Sequence, residues 1–302
     1  MATSPRPILR FAYDQFPGSL PVLLAEKLGY LRDGRCAVEL VLDNEHMQTN
    51  SRFAAGFYSG MATTLGSAVA ISAVVPQQRI VYIKDDSRGA DMLLGQNSIA
   101  TLHELRGKKI GVLVGDFGEY WLDSLLSKVD LDISDVEVVP VNGNAVPQLL
   151  AEQKIDAGHT WMPYAEQGIA RGQKILADTI QDEFVIVDVV VFRKEAIAHY
   201  RPCIKEFLRA WSRAVDFWRA HPSEATAILG RALGQDSGSF SVDGIQLFNS
   251  RENLKILTSD KVSSAVKSYA YYFQKRGMTI PQNVEDELLD PTLIQELDEA
   301  EP

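Results

Sequence analysis

The chain has 302 residues, of which 46% are hydrophobic and 23% charged, and its formal net charge is −10. This length is more than one minimal core requires and suits two compact lobes. The acidic balance excludes a nucleic-acid partner, because binding to a phosphate backbone needs clustered Lys and Arg, and no apolar run reaches the roughly 18 to 20 residues of a membrane span.

Short apolar segments alternate with helical patterns through the first two thirds of the chain. The predicted strands, each bounded by Gly, Pro, Asp or Asn, are Ile8–Tyr13, Ala37–Leu42, Arg79–Lys84, Lys109–Val114, Val136–Val141 and Phe184–Phe192. The predicted helices between them are Pro21–Leu31, Thr49–Ser59, Tyr120–Val129 and Ala145–Glu152. This alternation predicts an α/β fold whose mostly parallel sheets are covered by helices on both faces.

Two segments are predicted to cross between the lobes. Lys84–Asp91 is polar and contains Gly89, and Val185–Val191 is an extended run that leads into the carboxyl-terminal part. With both as crossings, residues 1–88 and 190–302 form a first, discontinuous lobe and residues 89–189 an inserted second lobe. The cleft between them is then hinged.

The corner Ala157–Tyr164 combines a strand end with aromatic residues and a proline. Pro163 halts the strand and biases Met162 toward an extended backbone, which holds Trp161 on a stiff support. An indole at the carboxyl end of a strand suits ligand stacking, and an ordinary buried Trp is the other interpretation.

From Pro202 onward the sequence predicts helices only. Apolar residues that recur on one helical face are Ile204, Phe207, Leu208, Trp211, Val215 and Trp218. We therefore expect Trp211 and Trp218 in the core. Cys36 and Cys203 lie far apart with no CxxC or Cys/His cluster, so we expect packed thiols rather than a zinc site or a disulfide framework.

Motifs along nearly the whole chain resemble those of one family. They are Leu20–Leu31, Ser87–Asp91, Leu102–Gly111, Thr160–Tyr164, Val187–Val191, Phe248–Leu254 and Leu289–Leu293. In this order they resemble periplasmic binding proteins of type II, of the nitrate, sulfonate and taurine class, relatives of which bind thiamine precursors.

The resemblance implies a two-lobed receptor that closes on one small polar molecule and delivers it to an ABC importer. It also implies a membrane permease as partner, a monomeric state, no cofactor, and a periplasmic or membrane-tethered extracytoplasmic location. Residues Met1–Pro7 lack the apolar core of a secretory signal, so the sequence alone leaves a cytoplasmic location open.

Candidate ligand-binding residues come from the loops that follow strand ends. After the first strand, the resemblance implies ligand-facing side chains at Asp14, Gln15, Phe16 and Ser19. We expect Phe16 to face Trp161 across the cleft or to plug its own loop. Ser67 is a candidate hydroxyl at a helix start, with an ordinary N-cap as the alternative.

The second lobe supplies the remaining candidates. The loop Gly115–Tyr120 offers Asp116, Phe117 and Glu119, and the spacing of the two carboxylates is also typical of a capping box. His159 shares a strand face with Trp161, either as a ligand contact or as packing. Asp188 interrupts an apolar run, which is costly without a donor or cation, and it either binds ligand or fastens the strand.

These candidates favour an amine-bearing or heterocyclic solute over a simple anion. Four of them are carboxylates, and no Lys or Arg is evident beside them. A ligand-sensing domain of a signalling protein is the alternative function. An enzyme is a third, weaker hypothesis, because no GxSxG, HExxH, Walker A or strand-linked GxGxxG is present, the histidines lack metal-ligand spacing, and the cysteine cluster of thiamine-precursor synthases is missing.

Overall fold

The structure is a computed structural model that describes residues 8–32, 36–180, 186–236 and 240–298. Its strands form two separate sheets with helices packed around them. The first sheet contains β1 (Ile8–Tyr13), β2 (Ala37–Leu42), β3 (Gly60–Thr64), β4 (Gln78–Ser87), β10 (Ile186–Arg193) and β11 (Ile245–Leu247). The second contains β5 (Asp91–Gly95), β6 (Lys109–Val112), β7 (Glu137–Pro140), β8 (Ala157–Trp161) and β9 (Lys174–Asp178).

Both sheets are mixed rather than mostly parallel, which corrects the prediction. In the first sheet the order is β11-β4-β10-β3-β1-β2, and β1 pairs in parallel with β2 and β3. β10 is antiparallel to β3 and β4, and β11 is antiparallel to β4. In the second sheet, of order β7-β6-β8-β5-β9, β6 is parallel to its neighbours while β5 is antiparallel to both of its own. The chain leaves the first sheet after β4, enters the second at β5, and returns to the first at β10. The directions of these strands are set by the passages between the sheets, and not by the strand–helix–strand repeats that make a sheet parallel.

The chain first passes from one sheet to the other between β4 and β5. β4 ends at Ser87 in the first sheet and β5 begins at Asp91 in the second. β9 of the second sheet ends at Asp178, and β10, which belongs entirely to the first sheet, begins at Ile186. Phe184, the predicted start of that strand, lies outside the described residues.

The helices are slightly shifted from their predicted positions. They are α1 (Pro21–Lys27), α2 (His46–Ala54), α3 (Leu65–Ile71), α4 (Phe117–Ser127), α5 (Val146–Ala151), α6 (Tyr164–Ala170), α7 (Lys194–Ala220), α8 (Pro222–Leu233), α9 (Ser250–Leu257), α10 (Asp260–Lys275), α11 (Val284–Leu288) and α12 (Thr292–Asp298). Side chains fix several starts: Asn249 and Glu252 form a capping box at α9, and Ser259 caps α10. Within the described residues, no helix is both long enough and apolar enough to cross a membrane.

The long helix α7 packs its apolar face on the first sheet, as its sequence pattern predicts. Trp211 and Trp218 are fully or almost fully buried there. The Trp211 ring lies 6.1 Å from that of Phe11 on β1 and 6.2 Å from that of Tyr82 on β4. Burial of such aromatic side chains contributes a large share of core stability, which anchors the helical region to the first lobe.

Cys36 and Cys203 form a disulfide bond, so the expectation of two packed thiols is wrong. Their Cα atoms are 5.7 Å apart, within the usual range for a disulfide, although 167 positions separate them in sequence. The bond ties the segment before β2 to α7. Spacing along the chain gave no sign of it, because the two residues meet only after α7 packs on the sheet.

Candidate functional site

A cavity lies between the two sheets, where several strands end. The first lobe contributes residues after β1 and β2, at the end of β3 and near the start of β10, and the second lobe contributes residues of β5, β8 and the start of α4. The lining residues are Asp14, Phe16, His46, Thr64, Asp91, Asp116, Phe117, His159, Trp161, Ile186 and Asp188. The carboxyl ends of strands are where open α/β sheets bind ligands, so this cavity is the candidate binding site.

The cavity is small in this arrangement of the lobes. The space available to the centres of water-sized molecules is about 30 Å³. This volume holds roughly two or three waters. A solute of more than a few heavy atoms therefore requires the lobes to sit slightly farther apart.

Trp161 forms part of the cavity wall, as predicted for the Ala157–Tyr164 corner. It ends β8, is 7% exposed, and lies flat against Gly143, where any Cβ would overlap the indole. Across the cleft its ring meets the edge of the His46 ring at 5.1 Å. His46, at the start of α2, is thus the first-lobe ring that packs on the indole.

His159 also lines the cavity, and its ring nitrogens are directed toward protein atoms. Nε2 lies 3.0 Å from Asp91 Oδ1, and a Cβ at Gly118 would overlap the Nδ1 edge of the ring. The ring stacks edge-on with Phe117 at 5.4 Å. His159 therefore holds the second-lobe wall together as well as facing the cavity.

Asp116 is the N-cap of α4, and it also bridges the lobes. Its Oδ1 accepts a hydrogen bond from Phe117 N at 2.7 Å and one from Thr64 Oγ1 of the first lobe. Neither bond of the predicted capping box is seen, because Asp116 accepts from the first helical residue and Glu119 bonds elsewhere. Its Oε2 accepts from Gly115 N at 2.8 Å, one residue before the N-cap.

Asp188 and a buried lysine form the floor beneath the cavity. Lys84 Nζ lies 3.1 Å from Asp188 Oδ2, 3.4 Å from Asp85 Oδ2 and 2.9 Å from Ser19 Oγ. Burial lowers the pKa of Lys84, but Asp188 and Asp85 outweigh it and raise that pKa, so the side chain is an ammonium.

One ammonium serves two carboxylates on this floor. Burial raises the pKa of Asp85 to about 6, although Lys84 opposes the rise. Burial likewise raises the pKa of Asp188 well above its usual range, with Lys84 opposing and Asp85 adding to the rise. Burial therefore works against the charged form of both carboxylates, and the single ammonium of Lys84 opposes this effect on each.

The two lobes touch each other on both sides of the cavity. On one side Asn142 Nδ2 donates to Glu45 Oε2 at 2.6 Å. On the other side Arg276 Nε donates to Glu119 Oε1 at 3.1 Å, and the rings of Tyr120 and Tyr269 lie 5.1 Å apart. These contacts close the cleft in this structure.

Four predicted site residues do not line the cavity. Gln15 donates through its backbone N–H to Asn44 Oδ1, and Ser19 is buried on Lys84. Ser67 is not the N-cap of α3: Thr64 caps that helix and accepts from Ser67 N at 2.9 Å. Glu119 is occupied by its bonds to Gly115 and Arg276.

Four lining residues were not among the predicted ones: His46, Thr64, Asp91 and Ile186. His46 and Thr64 follow or end first-lobe strands, so the rule that loops after strand ends face the cleft could have found them. Asp91 begins β5, and both of its carboxylate oxygens are bonded, to Ser87 and His159. Ile186 carries no polar group that would mark it.

A larger and more open groove lies on the outer side of β4 and β11. It leaves about 580 Å³ for water-sized molecules and is lined in part by Asp86, Arg88 and Arg219. Its most buried arginine, Arg219, is already bonded to Glu252. The groove lies outside the cleft and away from the strand ends just described.

Among the described residues, no group of three or more His, Cys, Asp or Glu is placed to hold a metal ion.

Comparison with known families gives one match that covers most of the chain. The family model described as "NMT1/THI5 like" matches residues 17–225. A protein of Brucella abortus strain 2308 that is named as a binding protein is 26% identical over 178 residues, which are 57% of this chain and 53% of that protein. The chain thus spans about half the length of that relative.

Two further relatives differ in what they are named to do. The 4-amino-5-hydroxymethyl-2-methylpyrimidine phosphate synthase of Candida albicans is 24% identical over 234 residues, which are 72% of this chain and 68% of the synthase. The alkanesulfonate-binding protein SsuA from Xanthomonas axonopodis pv. citri, solved bound to MOPS, superposes with a TM-score of 0.79 at 15% identity over 95% of this chain and 100% of its own. At that identity the superposition shows a common fold, the type II periplasmic binding protein fold.

Proposed function

Because this chain belongs to the NMT1/THI5-like family, we propose that it is a solute receptor that closes two lobes on one small polar molecule. The observation that carries this proposal is the cavity between the sheets, lined by both lobes and shut by contacts on either side. In such a receptor, affinity depends on how much better the closed state holds the solute than the open state does.

We propose further that the receptor serves an ABC importer, with a membrane permease as its partner. The alkanesulfonate-binding relative supports this assignment through the shared fold. The Cys36–Cys203 bond supports an extracytoplasmic location, because disulfides persist in oxidising compartments such as the periplasm. We propose that the receptor acts as a monomer, with one lobe boundary near residue 88 and the other between Asp178 and Ile186.

Receptor function is favoured over catalysis by the residues of the cavity. Its described lining has aspartates, two histidines and aromatic rings but no Ser or Cys nucleophile, and both cysteines are joined to each other. The Candida synthase keeps an enzymatic function in view. Mass spectrometry of a bound solute before and after long incubation distinguishes the two, since a receptor returns the solute unchanged.

The receptor proposal is tested by native mass spectrometry of the purified protein, followed by a thermal-shift screen. The screen contains amines, sulfonates, pyrimidines and nitrate. A solute that binds only the folded state raises the melting temperature by mass action. Small-angle scattering with and without that solute should show a smaller radius of gyration when it is bound. A bound solute that leaves the radius unchanged and is consumed on incubation would contradict the proposal.

A further inference from the structure

The cavity wall is unusually rich in negative charge. Four of its lining residues are aspartates, namely Asp14, Asp91, Asp116 and Asp188, and its described lining contains neither lysine nor arginine. Lys84 lies below the cavity and is shared between Asp188 and Asp85. Two unit charges 4 Å apart interact by about 4 kcal/mol near a protein surface, so each ionised aspartate in the wall disfavours an anion.

Three of the four aspartates already have hydrogen-bond or ion-pair partners on at least one carboxylate oxygen. These pairs are Asp14 with Phe16 N and His46 Nε2, Asp91 with Ser87 Oγ and His159 Nε2, and Asp116 with Phe117 N and Thr64 Oγ1. Their carboxylates are thereby fixed in place. They supply negative potential to the cavity without needing a ligand to satisfy them.

Asp188 differs from the other three. It is 5% exposed, its Oδ2 accepts from Lys84, and its Oδ1 is buried with no hydrogen-bond donor among the described residues. A buried acceptor without a donor is costly. A ligand that brings an N–H to Oδ1 removes this cost, whereas a ligand without one does not.

Aromatic faces complete the surroundings of the cavity. Phe16, Phe117 and Trp161 all line it, and Trp161 is held rigidly by Gly143 and His46. Organic cations are attracted to the faces of aromatic rings. Carboxylates together with aromatic rings are a combination that binds an organic ammonium group.

We infer that the solute is a protonated organic amine or guanidine whose N–H donates a hydrogen bond to Asp188 Oδ1. The inference rests on the proposed receptor function and names the chemical class of its solute. The need for an N–H separates this class from quaternary ammonium compounds, which carry the same charge but no donor. The need for a positive charge separates it from sulfonates and nitrate.

The test uses the 302-residue protein and matched probes in thermal shift and isothermal titration. The probes are ethylammonium, butylammonium and guanidinium, with tetramethylammonium as the cation that has no N–H, and ethanesulfonate and nitrate as anions. We expect at least one N–H cation to bind, and tetramethylammonium to bind about tenfold more weakly or worse. Binding of an anion but of no cation overturns the inference and leaves the receptor proposal standing. If nothing binds and no solute copurifies, both are overturned.

A variant locates the contact on the protein. Asp188→Asn should weaken binding of the N–H cations about tenfold or more, because it removes the carboxylate charge from the group that accepts their N–H. Asp123→Asn, a substitution on α4 outside the cavity lining, is the matched control and should leave affinity unchanged. Equal affinity of Asp188→Asn and the parent protein for an N–H cation overturns the assignment to Asp188. If Asp188→Asn does not fold, the comparison of ethylammonium with tetramethylammonium in the parent protein still decides whether the site requires an N–H donor.

Discussion

Substitution of Gly66 by Ala should impair closure of the lobes without destabilising the free protein. Gly66 lies in α3 of the first lobe, and a Cβ there would lie 2.8 Å from Phe117 N of the second lobe and 3.0 Å from Tyr269 Cε1. An ordinary contact is about 3.5 Å, so the second lobe must withdraw by roughly 0.7 Å. The backbone of Phe117 cannot yield alone, because it begins α4.

The magnitude follows from two opposing effects. Overpacking of this kind costs about 1–3 kcal/mol. The part that comes from Phe117 falls only on the closed state, whereas the ring edge of Tyr269, in the first lobe, has to shift slightly in both states. A cost of this size on the closed state corresponds to about 5- to 150-fold weaker solute binding. In the open state, Ala stabilises a helix interior by about 0.5–1 kcal/mol relative to Gly, so the solute-free protein should be at least as stable as the parent.

Isothermal titration with the solute identified by screening measures the affinity, and urea unfolding without solute measures the stability. Small-angle scattering of the solute-saturated variant should give a larger radius of gyration than that of the parent. Unchanged affinity together with unchanged stability would refute the reasoning, because it would mean that Gly66 and Phe117 are not in contact in the solute-bound state. A large loss of stability in the free protein would also refute it, since the contact would then belong to the folded core.

Three further predictions concern stability and closure. Replacing Cys36 and Cys203 together by Ser should lower the free energy of unfolding by up to about 5 kcal/mol in urea, because the bond constrains a loop closed over 167 positions. Asp85→Asn should flatten the pH dependence of the free energy of unfolding. Burial raises the pKa of Asp85 to about 6, so protonated Asp85 stabilises the fold fully below about pH 4. This stabilisation, on the order of 3 kcal/mol, is lost as the pH rises through 6. Arg276→Met should weaken solute binding about fivefold in isothermal titration, because the closed state loses the bond from Arg276 to the buried Glu119. The effect is modest because Arg276 is half-exposed and solvent screens the interaction.

Each of these predictions has a control and a contrary outcome. Reductant should lower the melting temperature of the parent protein but not that of the double Ser variant, and equal sensitivity would contradict the disulfide. Between pH 4.5 and 7 the urea midpoint of Asp85→Asn should fall less steeply than that of the parent. An equally steep fall in both proteins would contradict the titration of Asp85. Lys275→Met removes the neighbouring cation and should not change the affinity for solute. An equal loss of affinity in Lys275→Met and Arg276→Met would mean that the effect comes from net charge and not from the bond to Glu119.

Local sequence patterns determined much of the first lobe and of the family assignment. Alternation and bounding turn residues placed β1 and β2 at their observed limits, Ile8–Tyr13 and Ala37–Leu42. Helical spacing placed Trp211 in the core, and Asp116 was correctly expected at an N-cap. These features depend on neighbours within about one turn of helix or one strand, and such neighbours are visible in the sequence.

Other elements were missed because their patterns are weak. Gly60–Thr64 contains small residues and two threonines, which do not alternate clearly, and it becomes a strand because β1 and β10 flank it. Lys174–Asp178 is an edge strand with an exposed Ile175, so it lacks the buried run that would mark it. Burial on both sides and pairing at an edge are properties of the assembled sheets.

For the candidate site, the sequence alone determined that carboxylates and aromatic residues follow the strand ends, and that Asp188 sits in an apolar strand where a bare charge is costly. Only the tertiary structure decided which of them meet. It brought Asp14, Asp116, Trp161 and Asp188 to one cavity and directed Glu119 to Arg276, and it joined Cys36 to Cys203. The physical reason is that these contacts link residues tens to more than a hundred positions apart in the chain. Their partners are fixed by the packing of α7, by the crossing strands and by the closed hinge, whereas local propensity reports only on near neighbours.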